Sequence, residues 1–164
     1  MIVRKGVESD YPAVVLYWNS LIGKDWSCFK FAPTTTVEAI GTFIQNGYSL
    51  YVAHEGDELV GFGMWKNETL LGCPSNTREI WHQLGKHWVE ENLGKIGVMR
   101  YPNIVCNEVT WFDDMGVPLE RTPESYKPLK PGEDISQRKV WTYKVTVPMD
   151  AVKRAIDNNF VMPN

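Results

Sequence analysis

The sequence predicts a single α/β domain, and three features carry that expectation. Apolar residues recur at three and four in some segments and alternate in others, so helices and strands interleave along the chain. Runs 49–55 and 58–65 flank Gly56-Asp57 and read as a β-hairpin, because the turn holds the Gly and Asp that tight turns favour. Run 68–72, the turn Cys73-Pro74-Ser75-Asn76 and the long amphipathic run 77–92 then form a strand–turn–helix unit. With 164 residues, one domain spanning 1–164 is expected. A domain of that size buries about 70% of its unfolded surface and needs no metal or disulfide staple.

The elements follow in order. Ile2 to Lys5 is a short, edge-like strand. Ser9-Asp10 offers an N-cap and Pro12 fits the first turn of a helix reaching about residue 22. Val14, Val15, Trp18, Leu21 and Ile22 make its buried stripe. Thr35 and Glu38 form a capping box for a second helix, which stops at Asn46-Gly47. The stretch 23–34 between them, with Trp26, Phe29 and Phe31, is a loop that packs or closes over something. Gly61 and Gly63 in the second hairpin arm mark either a bulge at a sheet bend or a close approach by backbone or ligand.

Asn76 with Glu79 is the expected cap of the third helix, whose buried face holds Ile80, Trp81, Leu84, Trp88 and Val89. A helix start of this kind presents unpaired backbone N–H groups to an anion, as every β–α unit does. A strand at 103–106 and a short helix at 108–115, closed by Gly116, come next. The Pro-rich stretch 117–134 reads as an ordered excursion or a lid. Run 136–147 alternates as a strand. Run 149–160 is a final amphipathic helix bearing Val152, Ile156 and Phe160, which packs on its own sheet or mediates self-association. The core of the domain is expected over 1–147.

Composition excludes several classes of function. A net charge of −3 and a pI near 5.6 leave no basic footprint for nucleic acid or an anionic membrane. No apolar run approaches the ~18 residues of a membrane span, and the N-terminus is not that of a signal peptide. Cys28, Cys73 and Cys106, odd in number and irregularly spaced, read as reduced thiols, so a cytoplasmic location is expected. His54, His82 and His87 complete no zinc set, and no metal is expected. The seven tryptophans are core fillers or an aromatic binding face.

The order of elements, strand, two helices, hairpin, strand, long helix, strand, short helix, strand, resembles that of the GNAT (acyl-CoA N-acyltransferase) family over about residues 1–147. Val3-Arg4-Lys5-Gly6 with Ser9-Asp10-Tyr11 resembles the family's first strand and the acid before its first helix. The hairpin from Tyr51 to Gly63 is similar to its second and third strands, and 107–120 to its later helix and the step after it. Among members, the chain resembles the short, divergent GNAT-like proteins of tailed phages. The resemblance implies a mixed, mostly antiparallel central sheet with helices on both faces. It also implies acetyl-CoA as cofactor and a small amine or a protein amine as substrate.

The family's phosphate loop has the form Gln/Arg-x-x-Gly-x-Gly/Ala, whose glycines let successive N–H groups converge on a pyrophosphate. Here that place reads Gly72-Cys73-Pro74-Ser75-Asn76-Thr77-Arg78. Pro74 removes one donor. Gly72, Ser75, Asn76, Thr77 and Arg78 are therefore the candidate coenzyme ligands. Transfer to an amine needs a base and a donor for the leaving thiolate. By resemblance Glu55 and Glu68 are the candidate bases and Tyr126 the candidate acid; read by themselves, Glu55 is a solvated turn charge and Tyr126 a packing residue. Cys73, at a β–α turn, is a nucleophile or a structural thiol. Loss of the loop glycines supports a second hypothesis, a catalytically silent protein that binds or inhibits a protein target.

Overall fold

A computed structural model of the chain describes residues 1–27, 29–30, 32–102, 107–124 and 142–158. Among these lie seven strands: β1 (Ile2–Lys5), β2 (Ser49–Glu55), β3 (Glu58–Lys66), β4 (Thr69–Gly72), β5 (Ile96–Pro102), β6 (Glu120–Glu124) and β7 (Thr142–Pro148). The α-helices are α1 (Tyr11–Leu21), α2 (Val37–Gln45), α3 (Arg78–Glu91), α4 (Asn107–Asp114) and α5 (Met149–Asp157). All seven strands join one sheet in the order β1-β2-β3-β4-β5-β7-β6. Every neighbouring pair is antiparallel except β4 and β5. That is the mixed, mostly antiparallel sheet that the family resemblance implies.

Alternation along β2 assigns the faces. Leu50 and Val52 face one way and pack with Val14, Trp18, Leu21 and Ile40 of α1 and α2. Tyr51 and Ala53 face the other way, toward the core built by α3, α4 and α5. Five tryptophans (Trp18, Trp65, Trp81, Trp88 and Trp111) are buried in these two cores, whereas Trp26 is exposed and Trp141 lies outside the described residues. Core filling is thus the main role of these rings. α5 lays Met149 and Val152 into the α3 core, so its apolar stripe packs on its own domain; Phe160 is outside the described residues.

Several local expectations are corrected. α2 is capped by Thr36, whose hydroxyl accepts from Ala39 N at 3.1 Å. Thr35 is instead buried, its N–H and carbonyl both bound by the Asn19 side-chain amide of α1. α3 is capped by Thr77, accepting from Ile80 N, and not by Asn76. Asp10 stands at the N-cap position of α1 but makes no cap bond, because Arg4 and the Val7 N–H take its carboxylate. A strand not foreseen, β5, begins at Ile96 and forms a seven-residue ladder with β7; the strand expected at 103–106 lies outside the described residues. Part of the Pro-rich stretch is a strand as well: β6 pairs with β7 despite Pro123, at the sheet edge where proline is tolerated.

Candidate functional site

The central feature is how β4 leaves the sheet. Met64 pairs with Gly72 but Trp65 with Leu70, so Leu71 is the extra residue of a bulge. Beyond Gly72 the chain stays beside β3: Phe62 N donates to Pro74 O (3.1 Å) and Asn76 N to Val60 O (3.0 Å), with Gly61 opposite Ser75. A Cβ on Gly61 would lie 3.0 Å from Pro74 O and 3.1 Å from Ser75 Oγ, so close backbone passage requires this glycine. On its other side β4 pairs with β5 only at Thr69–Val98 and Leu70–Met99. β5 runs on to Pro102 with β7 as partner. From Leu71 onward the two parallel strands are no longer paired; this unpaired end, just before α3, is the wedge of the domain.

Each candidate loop residue already has an occupation inside the protein. Gly72 is covered by the Phe29 ring, which a Cβ there would meet at 2.5 Å. Ser75 is buried and its hydroxyl donates to Cys73 O (3.2 Å). The Asn76 Oδ1 accepts from the Tyr17 hydroxyl (2.8 Å), and its N–H is spent on Val60. Thr77 caps α3. Arg78, at the first position of α3, reaches Asp114 of α4 at 3.0 Å. These five residues do converge on one end of the sheet, at the wedge and the N-terminus of α3.

The catalytic candidates do not converge. Glu55 is exposed in the β2–β3 turn, at the same end of the sheet as the wedge. Glu68 sits in the β3–β4 turn, at the opposite end of β3. Nine residues of strand separate the two turns, roughly 30 Å at the rise of an extended chain. Tyr126 lies outside the described residues. Cys73 is 1% exposed within the α3 core, the setting of an inert structural thiol.

Below the wedge, on the α3 side, the space is aromatic. Trp81 meets the Phe112 ring edge-on at 4.7 Å and Trp111 at 5.5 Å. A small apolar cavity remains between Leu70, Cys73, Trp81, His82, Gly85 and Phe112, among others. His82 lies one turn along α3 from Arg78; its buried Nε2 has no hydrogen-bond partner among the described residues. Burial first, and the Arg78 charge second, push the His82 imidazole below its ordinary pKa, so it is neutral at pH 7.

Two residues of this region escaped sequence reasoning. Tyr17 arrives from α1, 59 positions before Asn76, and nothing local signals that contact. Asp114 lies in the helix that was read, but only the tertiary fold places it over the start of α3.

No protein-family model matches the sequence. No curated protein matches it either. Solved structures do match. The acetyltransferase of GNAT family from Streptococcus pneumoniae superposes with a TM-score of 0.60 at 12% identity, over 89% of this chain and 97% of its own. The fold is that of the GNAT acetyltransferases. The GNAT-fold match extends to yncA, a putative acetyltransferase from Salmonella typhimurium solved with its cofactor acetyl-CoA (TM-score 0.63, 13% identity, 92% of this chain and 94% of that one). Smu.2055 from Streptococcus mutans UA159 gives 0.64 at 15% identity, over 90% and 97%. Among the described residues, no helix of this GNAT-fold domain is long and apolar enough to cross a membrane.

Proposed function

We propose that this chain is an acyl-CoA-dependent N-acyltransferase, with acetyl-CoA as coenzyme and a small amine or a protein amine as acceptor. The observation that carries the reading is the wedge. The only parallel strand pair among the described residues separates after Leu70 and Met99, immediately before a helix N-terminus that carries an arginine. In the family that the fold resembles, this is where the coenzyme enters. Arg78 and the first-turn amides of α3 are the groups suited to its phosphates. The fit is partial, because Pro74 has no N–H and Asn76 N already donates to Val60.

When bound, the coenzyme supplies an acyl thioester. The protein's own part is to hold the amine neutral and near, take one proton from it, and return one to the leaving sulfur. Of the two candidate bases, Glu55 shares the wedge's end of the sheet and Glu68 does not. Glu55 is therefore the base we assign to this reading, with Tyr126 kept as the acid proposed from the family resemblance. Calorimetric titration with acetyl-CoA tests the coenzyme site. A saturable heat and a raised Tm are expected; neither appearing at millimolar coenzyme rejects the enzyme.

A second reading, a coenzyme-free GNAT-fold protein that binds or inhibits a protein target, is favoured by one specific observation. Every residue of the 72–78 loop proposed as a coenzyme ligand is engaged within the domain. The same titration separates the two readings.

A further inference from the structure

The Arg78–Asp114 pair differs from the other contacts of the loop. Ser75 and Thr77 bond within the loop and their own helix, and Asn76 bonds to Val60 of β3 and to the Tyr17 hydroxyl of α1. Arg78 is the one of these loop residues that pairs with an acid, Asp114 of α4, and both side chains remain 30% exposed. Asp114 ends α4, and its neighbour Asp113 pairs with Arg121 of β6 at 2.6 Å, a second surface tie of α4 near this spot. The result is a carboxylate bound to the first residue of α3, where the helix dipole favours negative charge.

We infer that Asp114 acts as a latch: its carboxylate occupies the guanidinium that a coenzyme phosphate needs, and so sets the affinity of the site. This rests on the acyltransferase reading above. Exposure makes the latch openable: both side chains of the pair are partly solvated, so releasing it costs little of the fold. A phosphate brings more negative charge than a carboxylate and pairs with a guanidinium through two parallel hydrogen bonds, so it competes for Arg78 on favourable terms. Binding then requires Arg78 to exchange one anion for another, and α4 loses its tie to α3 when the coenzyme enters. Affinity is lowered by the strength of the internal pair, as for any ligand whose competent state is only fractionally populated.

The test is a double-mutant cycle read by calorimetry with acetyl-CoA, using the full chain as wild type, Asp114→Asn, Arg78→Ala and the double variant. Asp114→Asn is expected to bind roughly two- to fivefold tighter than wild type, and Arg78→Ala to bind more weakly. In the Arg78→Ala background the Asp114→Asn gain should vanish, because no latch remains to be opened. A gain that persists there shows Asp114 acting only as a repelling charge and overturns the latch. Equal binding by wild type and Asp114→Asn also overturns it, while leaving the coenzyme site in place. No binding by any of the four removes both. Asp114→Ser serves if the Asn variant folds poorly by near-UV circular dichroism, and the same outcomes apply.

Discussion

The N-termini of α1 and α3 each carry an Arg–Asp pair, and the two pairs are built for opposite ends. At α1 the acid belongs to the helix start: Asp10 is buried, takes both guanidinium nitrogens of Arg4 at 2.7 and 2.8 Å, and accepts the Val7 N–H as well. Three bonds converge on one carboxylate, and strand β1 is thereby fastened to the first helix. At α3 the base belongs to the helix start and the acid comes from α4, the two lying 3.0 Å apart and both partly exposed. Burial of the acid, with three donors converging on it, turns one pair into a staple. An acid that stays partly solvated leaves the other reversible.

The largest effect should follow from breaking the staple. Asp10→Ala strands Arg4 and the Val7 N–H, and should cost about 2–3 kcal/mol in urea unfolding. Its pH dependence has a definite sign. Hydrogen bonding from Arg4 holds the Asp10 carboxyl below its ordinary 3.8, outweighing the opposing effect of burial. The stabilisation is therefore complete above the ordinary value and lost as pH falls through the lowered one. The stability gap between wild type and Asp10→Ala should close on acidification below about pH 4; a gap that widens would contradict the assignment.

Gly72→Ala sharpens the α3 side of the comparison. The new methyl meets the buried Phe29 ring at 2.5 Å, and about 2 kcal/mol of overpacking strain is expected in the same assay. A neutral result would mean that Phe29 moves aside readily and leaves the wedge open. Gly85→Ala has the opposite sign. A Cβ there has nothing within 4 Å, so the helix gains about 1 kcal/mol from propensity alone. Asp114→Asn should change unfolding stability by less than about 1 kcal/mol, in keeping with its modest gain in binding. A cost as large as that of Asp10→Ala would make the latch a second staple.

The smallest effect concerns His82. Its lowered pKa means that the unfolded chain takes up a proton first as pH drops below about 6.5, so stability falls from there toward the folded value. His82→Gln should flatten that slope in urea unfolding between pH 7 and pH 5.

Much of the fold was written in local chemistry. The hairpin 49–66, the stripes of α1 and α3 and the αL turn at Gly116 all depend on residues close in sequence, and all are where periodicity and turn chemistry place them. Cap positions were legible only to within one residue. Thr35 and Thr36 are chemically equivalent, and the choice fell to Asn19, sixteen positions upstream of Thr35, which holds the Thr35 backbone. β5 and β6 were not foreseen because strand pairing with β7 is a long-range event; neither Ile96–Pro102 nor the Pro123 segment alternates clearly by itself.

The candidate site divides in the same way. That residues 72–78 lie at a strand-to-helix turn was determined by the sequence, since Gly72, Pro74 and the run after Thr77 are local signals. What those residues do there was decided by tertiary structure. Phe29, Tyr17, Val60 and Asp114 each come from elsewhere in the chain to engage the loop. A sequence states which donors and acceptors a segment carries; only packing decides which of them are already spent, because that depends on what the fold brings within 3 Å.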